Sequence, residues 1–279
     1  KNIANASKWI NLACEEGARI VALPEYFSTG YPGKSIPQVA EPIPGPTTDA
    51  LLRKASEKRV FIVAGSIVEK GERGFHNTSV LIDVYGEIIG KYRKTHPWRG
   101  MPKDEYGEGI VPGETYPVLD TELGKIGILL DSDLDFPEPA RIMALDGAEV
   151  LFWPCHCSAK WIDSHRFDMQ QRAFENMYYV VASNRVGIWR GSPGGDVLFL
   201  GSSRVISPMG EILASAGEFA EGMAIGTIDL TLTRGWWNCR TFQWKSALSS
   251  FRILPFIITH PSSAWKLEKP HRWRIFARV

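Results

Sequence analysis

Short, unbroken apolar runs alternate along this chain with segments that carry apolar residues at helical period, and that alternation leaves few folds open. Residues 19–23, 60–68, 125–130, 150–153 and 178–183 are short and apolar on both faces, as strands inside a covered sheet are. Residues 2–17, 48–58, 137–145 and 162–177 repeat their apolar positions every three to four residues and predict helices, the third opening with Pro137 at its first position. Strands alternating with helices predict an α/β protein. Two hairpins make the sheet mixed: residues 78–84 and 87–92 flank Tyr85-Gly86, and residues 205–206 and 212–214 flank Pro208-Met209-Gly210. Residues 224–229 read as the last clear strand, and 35–48 and 98–114 as loops.

Charge narrows the function. The 279 residues hold 32 Lys and Arg against 31 Asp and Glu, a net charge of +1, which argues against a dedicated nucleic-acid binder. No apolar run reaches the ~18 residues of a membrane span, so no membrane partner is expected. Four cysteines are too few for a disulfide scaffold. With no signal-peptide pattern after Lys1, a cytoplasmic location is the expectation. The balance is uneven, however. Residues 231–279 carry nine Lys and Arg, one acid (Glu268) and five of the ten Trp. The expected organisation is therefore a body over residues 1–230 and a basic, Trp-rich arm over 231–279. Packing of that arm against the acidic body or a second subunit is favoured over binding to an acidic partner.

In α/β proteins, groups at the carboxyl ends of strands meet in a shared crevice. Three strand ends carry chemistry here. Glu25 follows the run ending Leu23-Pro24, Lys94 ends Lys91-Tyr92-Arg93-Lys94, and Asp131 follows Gly127-Ile128-Leu129-Leu130. Singly, each has a plainer reading: a loop carboxylate, a surface charge, a helix cap. Taken together and in order they form a pattern.

With Pro117–Thr121, Phe136-Pro137-Glu138, Arg172-Ala173-Phe174-Glu175-Asn176 and Ser183-Asn184-Arg185-Val186-Gly187, the chain resembles the nitrilase, or carbon–nitrogen hydrolase, superfamily as far as about Asp229. The resemblance implies an α-β-β-α sandwich, pairing of two copies across a helical face into a homo-oligomer, and no metal or organic cofactor. It implies a small amide or nitrile as substrate and a Glu-Lys-Cys centre. Glu25 would be the general base and Lys94 the cation at the oxyanion. Glu105, with Glu108 as the alternative, would be a second glutamate near Lys94, and the Ser132 amide N–H would complete the oxyanion site. The run Lys94-Thr95-His96-Pro97-Trp98 leans toward amide hydrolases.

Asp131 stands where the family has its cysteine, whether counted back from Phe136-Pro137-Glu138 or forward from Gly127. A carboxylate ionises near pH ~3.9 against ~8.5 for a thiol. It would leave a tetrahedral adduct far more readily than an amine, so the adduct reverts. Activity through that route is expected to be nil or very low. Three explanations stay open: an introduced substitution, a pseudoenzyme that keeps its pocket for binding, or a carboxylate pair doing acid–base chemistry. Cys155-His156-Cys157 reads as packing or pocket lining ahead of a substitute nucleophile or metal site. Tyr31, Trp98, Trp153 and Trp161 are candidate pocket walls that would favour an apolar or aromatic acyl group. Because the chain opens in its first helix, the strand that precedes that helix in the family is expected to be wanting from the sheet.

Overall fold

The computed structural model describes residues 1–30, 35–100, 104–190, 192, 195–235 and 272–278. Helix α1 (Asn2–Glu15) leads into β1 (Ile20–Ala22). The short α2 (Ile36–Val39) and the longer α3 (Pro46–Lys58) follow, then β2 (Phe61–Val63), β3 (Ile67–Gly71), β4 (Gly74–Ile82) and β5 (Ile88–Arg93). The second half runs β6 (Val118–Thr121), β7 (Gly124–Ile128), α4 (Pro137–Leu145), β8 (Val150–Cys155), α5 (Ile162–Asn176), β9 (Tyr179–Asn184), β10 (Val186–Trp189), β11 (Val197–Leu200), β12 (Arg204–Ile206), β13 (Ile212–Ser215), β14 (Met223–Asp229) and β15 (Arg272–Arg278).

Two mixed sheets result. One follows the order β14-β15-β1-β2-β4-β3, with β5 also on β4; the other runs β13-β12-β9-β8-β7-β6. Strands β7, β8 and β9 are parallel, joined by α4 and α5, and β1 is parallel to β2 and β15. The alternation of side chains along a strand divides the interior. Ile20 and Ala22 face the second sheet and share a core with Ile126, Ile128, Leu151 and Trp153. Val21 and Leu23 turn the other way, toward Ala6 and Ile10 of α1 and Leu51 and Ala55 of α3. On the outer face of the second sheet, Ala140 and Met143 of α4 and Met169 and Ala173 of α5 close the core. The layers are therefore helix, sheet, sheet, helix, the expected sandwich.

Three local readings need correction. The expected strand over 60–68 is two strands, broken at Gly65, where φ is +46° and a Cβ would lie 2.0 Å from the Pro24 carbonyl oxygen. Only glycine fits so close to the segment carrying Glu25. The loop over 35–48 contains α2 and the start of α3. The hairpin of β10 and β11 is a further element beyond those expected; its strands are only four residues each, too short to show a period.

The position between β14 and β1 is filled by β15, drawn from the basic tail. It is parallel to β1 and antiparallel to β14, with Ile275 fully buried. Trp236, Trp237, Cys239, Trp244 and Trp265 of the tail lie outside the described residues, as does Tyr31.

Candidate active site

The three strand ends converge. Lys94 Nζ lies 2.9 Å from Glu25 Oε1, 2.7 Å from Glu105 Oε2 and 3.8 Å from Asp131 Oδ2. Lys94, Glu25 and Glu105 are almost wholly buried, and the Asp131 side chain keeps 13% of its exposure. Of the two glutamates offered by the 98–114 loop, Glu105 is the one on Lys94; Glu108 is half-buried nearby, its N–H donating to the Asp104 carbonyl.

Each position has a local cause. Asp131 follows β7 at the head of a tight 3-10 turn, Asp131–Asp135, with φ at +38°. That left-handed conformation is uncommon outside glycine, though Asp and Asn tolerate it best. It thrusts the side chain out at the strand end. Asp133, fully buried, fixes this turn against the strand carrying Lys94. It accepts from the Leu130 N–H (2.8 Å), the Tyr92 hydroxyl (2.7 Å), the Thr95 hydroxyl (3.0 Å) and the His96 N–H (2.9 Å). Behind Asp131, the indole N–H of Trp153 donates to its backbone carbonyl (2.9 Å) and the N–H of His156 to its Oδ1 (3.0 Å).

A second set of donors orders the glutamates. The Asn77 side-chain amide, from β4, donates to Glu25 Oε1 and Glu105 Oε1, each at 2.7 Å. The Tyr26 hydroxyl also donates to Glu105 Oε1 (2.5 Å), and the Trp98 N–H to Glu105 Oε2 (2.6 Å). Asn77, Tyr26, His156 and Asp133 were absent from the sequence-based site. His156 falls in the run Cys155-His156-Cys157, but only the packing of distant strands reveals what these four residues touch.

The electrostatics follow from burial. Desolvation pushes the Glu25 carboxyl well above its usual range; Lys94 opposes this, while the charges of Asp131 and Glu105 reinforce it. Glu25 is thus the acid driven toward holding a proton. Burial would lower the Lys94 ammonium, but Glu105, Glu25 and Asp131 outweigh it and hold it charged. Burial raises the thiols of Cys155 and Cys157, with Asp131 adding to both, so neither is poised as a thiolate. Among the described residues no cluster of three His, Cys, Asp or Glu could hold a metal ion.

The cavity over Glu25 is not walled by the expected tryptophans. A cavity of about 150 Å³ opens over Glu25, and its wall is largely polar: Asn2, Asn5, Glu25, Arg185 and Glu221 join Phe27 and Val186. Trp153 is fully buried as a prop for Asp131, Trp161 is 49% exposed, and half-buried Trp98 serves through its backbone N–H. None of the three lines the cavity. Ser132 donates its hydroxyl to the His96 carbonyl (2.7 Å).

Comparison with known proteins agrees with this architecture. The family model for carbon–nitrogen hydrolases matches residues 1–238. Omega-amidase NIT2-B of Xenopus laevis is 34% identical over 234 residues, covering 82% of this chain and 83% of that protein. A nitrilase of Pyrococcus abyssi is 36% identical over 241 residues, covering 84% and 86%. The crystal structure of a carbon–nitrogen hydrolase from Helicobacter pylori G27 superposes with a TM-score of 0.79 at 26% identity, covering 90% of each chain. A double mutant of the Nesterenkonia sp. AN1 amidase in complex with acrylamide gives 0.66 at 26%, covering 77% of this chain and 80% of that one. With its helix–sheet–sheet–helix sandwich and a family match over most of its length, this chain belongs to the carbon–nitrogen hydrolase family.

Proposed function

We propose that the chain is a small-amide hydrolase scaffold whose Glu25-Lys94-Glu105 centre is retained and whose nucleophile position is held by Asp131. The observation that carries this reading is the single ammonium of Lys94 within 2.7–3.8 Å of all three carboxylates, beside the cavity over Glu25. In a centre of this kind Glu25 takes the proton of the nucleophile and later of water, and Lys94 stabilises the oxyanion. Glu105, held by Tyr26 and Asn77, orients Lys94.

Asp131 closes the covalent route. Attack by its carboxylate on an amide would form a mixed anhydride only by expelling an amine from an adduct that expels carboxylate far more easily. Its Oδ1 is also engaged by the His156 N–H, and its Oδ2 faces Lys94. Turnover of amides or nitriles through an acyl intermediate is therefore nil or very low. That engagement favours, as second reading, a pseudoenzyme that binds its ligand without turning it over. Neither a metal nor an organic cofactor is required by either reading.

Exposed Ile142 and Leu145 on α4 and Phe167 and Phe174 on α5 form an apolar helical face that supports pairing with a second copy. Free Cys14, Cys155 and Cys157 fit a reducing, cytoplasmic setting.

The test is Asp131→Cys. Ammonia release from short aliphatic amides is expected to rise from background, with loss of activity on thiol alkylation. Silence of the folded variant across amides and nitriles would refute the reading.

A further inference from the structure

The 3-10 turn Asp131–Asp135 is held at three points. Its first carbonyl accepts from the Trp153 indole (2.9 Å), and its middle residue, Asp133, is buried among four donors. Its last residue, Asp135, meets His165, which plays no part in the centre described above. His165 is buried in the first turn of α5. Its Nε2 lies 3.4 Å from Asp135 Oδ1, and its ring packs 5.2 Å from that of Trp153 at a tilt of 36°. One imidazole therefore touches both the last residue of the turn and the prop beneath the first.

Carboxylates face this ring. Asp131 and Asp135 do so from the turn, and Asp168 from the next turn of α5. The nearby cations are engaged elsewhere: Arg166 with Asp163 and Glu218, Arg172 with Glu175. The Cys157 thiol lies near the same three carboxylates and, raised by burial, stays neutral. Burial disfavours the imidazolium, and Nδ1 is buried with no hydrogen-bond partner among the described residues. The hydrogen bond to Asp135, with the charges of Asp131, Asp135 and Asp168, outweighs this and raises the ring above its ordinary value of ~6.5.

Charge strengthens both contacts. A protonated ring forms an ion pair with Asp135 and sets a cation against an indole; a neutral ring keeps a weaker hydrogen bond and an ordinary aromatic contact. The turn depends on such support, because Asp131 sits at φ +38°, a conformation that persists only where surrounding contacts over-determine it. Asp135 keeps 46% of its side-chain exposure, so water can take the place of a neutral ring there.

We propose that His165 is the positioning residue of the turn at 131, its imidazolium holding the turn closed through Asp135 and Trp153, so that the turn loosens as the ring loses its proton. The latch belongs to the unaltered chain and holds whether or not the cavity takes an amide. Its contribution is complete below pH ~6.5 and is lost as pH rises through the ring's own midpoint.

Hydrogen exchange reads the turn directly, since the Asp133 N–H donates to the Leu130 carbonyl (2.9 Å) and the Phe136 N–H to the Asp133 carbonyl (3.4 Å). Exchange of these amides is followed from pH 5 to pH 9, corrected for intrinsic rates, beside an NMR titration of the His165 ring. The midpoint is expected above ~6.5, and protection of both amides falls through it by about tenfold for each pH unit of that excess. In Asp135→Asn the midpoint moves to lower pH and the fall shrinks. In His165→Gln the fall disappears, with folding of both variants checked by thermal melting. Protection independent of pH, a fall that survives His165→Gln, or a midpoint unmoved by Asp135→Asn would overturn the latch. In Asp131→Cys the same loosening should appear as a loss of kcat/KM at basic pH that His165→Gln abolishes. If Asp131→Cys releases no ammonia at any pH, the amide reading fails alone, because exchange in the unaltered chain decides the latch.

Discussion

Replacing Lys94 by methionine keeps the length of the side chain and removes the ammonium around which three carboxylates are arranged. At the observed separations of 2.9, 2.7 and 3.8 Å, each pair gains about 4–6 kcal/mol at an effective dielectric constant of roughly 20. Most of that gain offsets desolvation of the same groups. What breaking a buried pair exposes is the uncompensated charge, typically ~3–5 kcal/mol. For a chain of this size that lowers the melting temperature by roughly 6–20 °C. The sign of the pH dependence is fixed. Without Lys94, Glu25 loses the cation that opposes its desolvation and titrates still further above its unfolded value of about 4, so its ionisation opposes folding as pH rises. Below pH ~4 it is protonated in both states, and the deficit is small. The native lysine, with its raised pKa, contributes throughout this range and is lost only above pH ~10. Calorimetric melting of both proteins at pH 5 and pH 8 should show the larger deficit at pH 8. A deficit under ~1 kcal/mol at pH 8, or one that grows on acidification, would refute the ion cluster as described.

Two further outcomes follow from the hydrogen-bond network. Asn77→Ala, made in the Asp131→Cys background, removes the amide that holds Glu25 and Glu105 together. It should lower kcat about tenfold to hundredfold with a smaller effect on KM. The acidic limb of the rate profile should move to higher pH, because Glu25, the base, loses a donor that favours its ionised form; an unchanged profile would assign Asn77 a purely structural part. Beside the strands that carry Asn77 and Lys94, burial tends to raise Glu69, but hydrogen bonds from Arg93, Lys91 and Thr78 hold it down at about 2. Its stabilisation is therefore present above pH ~4.3 and is lost as pH falls toward 2. Glu69→Gln should cost roughly 1–3 kcal/mol at pH 7, with the difference closing in acid melts; an equal loss at pH 2.5 and pH 7 would contradict this.

Hydrophobic period and strand-end chemistry are local properties, and the sequence by itself carried them. Helix α4 begins and ends where its pattern predicts, at Pro137 and Leu145. The α/β class follows from apolar runs whose faces must both be covered. The ends at Glu25, Lys94 and Asp131 are legible because a charged residue closing a buried strand has few places to go. Proximity across the chain was not encoded in any local signal. That Glu105 rather than Glu108 meets Lys94 depends on how one loop closes over β4. That Asn77 bridges two glutamates depends on β4 lying beside β2. Trp153 reads equally well as pocket wall or prop until the turn at Asp131 is set over it. The place of β15 beside β1, and the pairing of His165 with Asp135, are likewise long-range outcomes. A residue's type limits which partners satisfy it, but packing of segments tens to hundreds of positions apart decides which partner it receives.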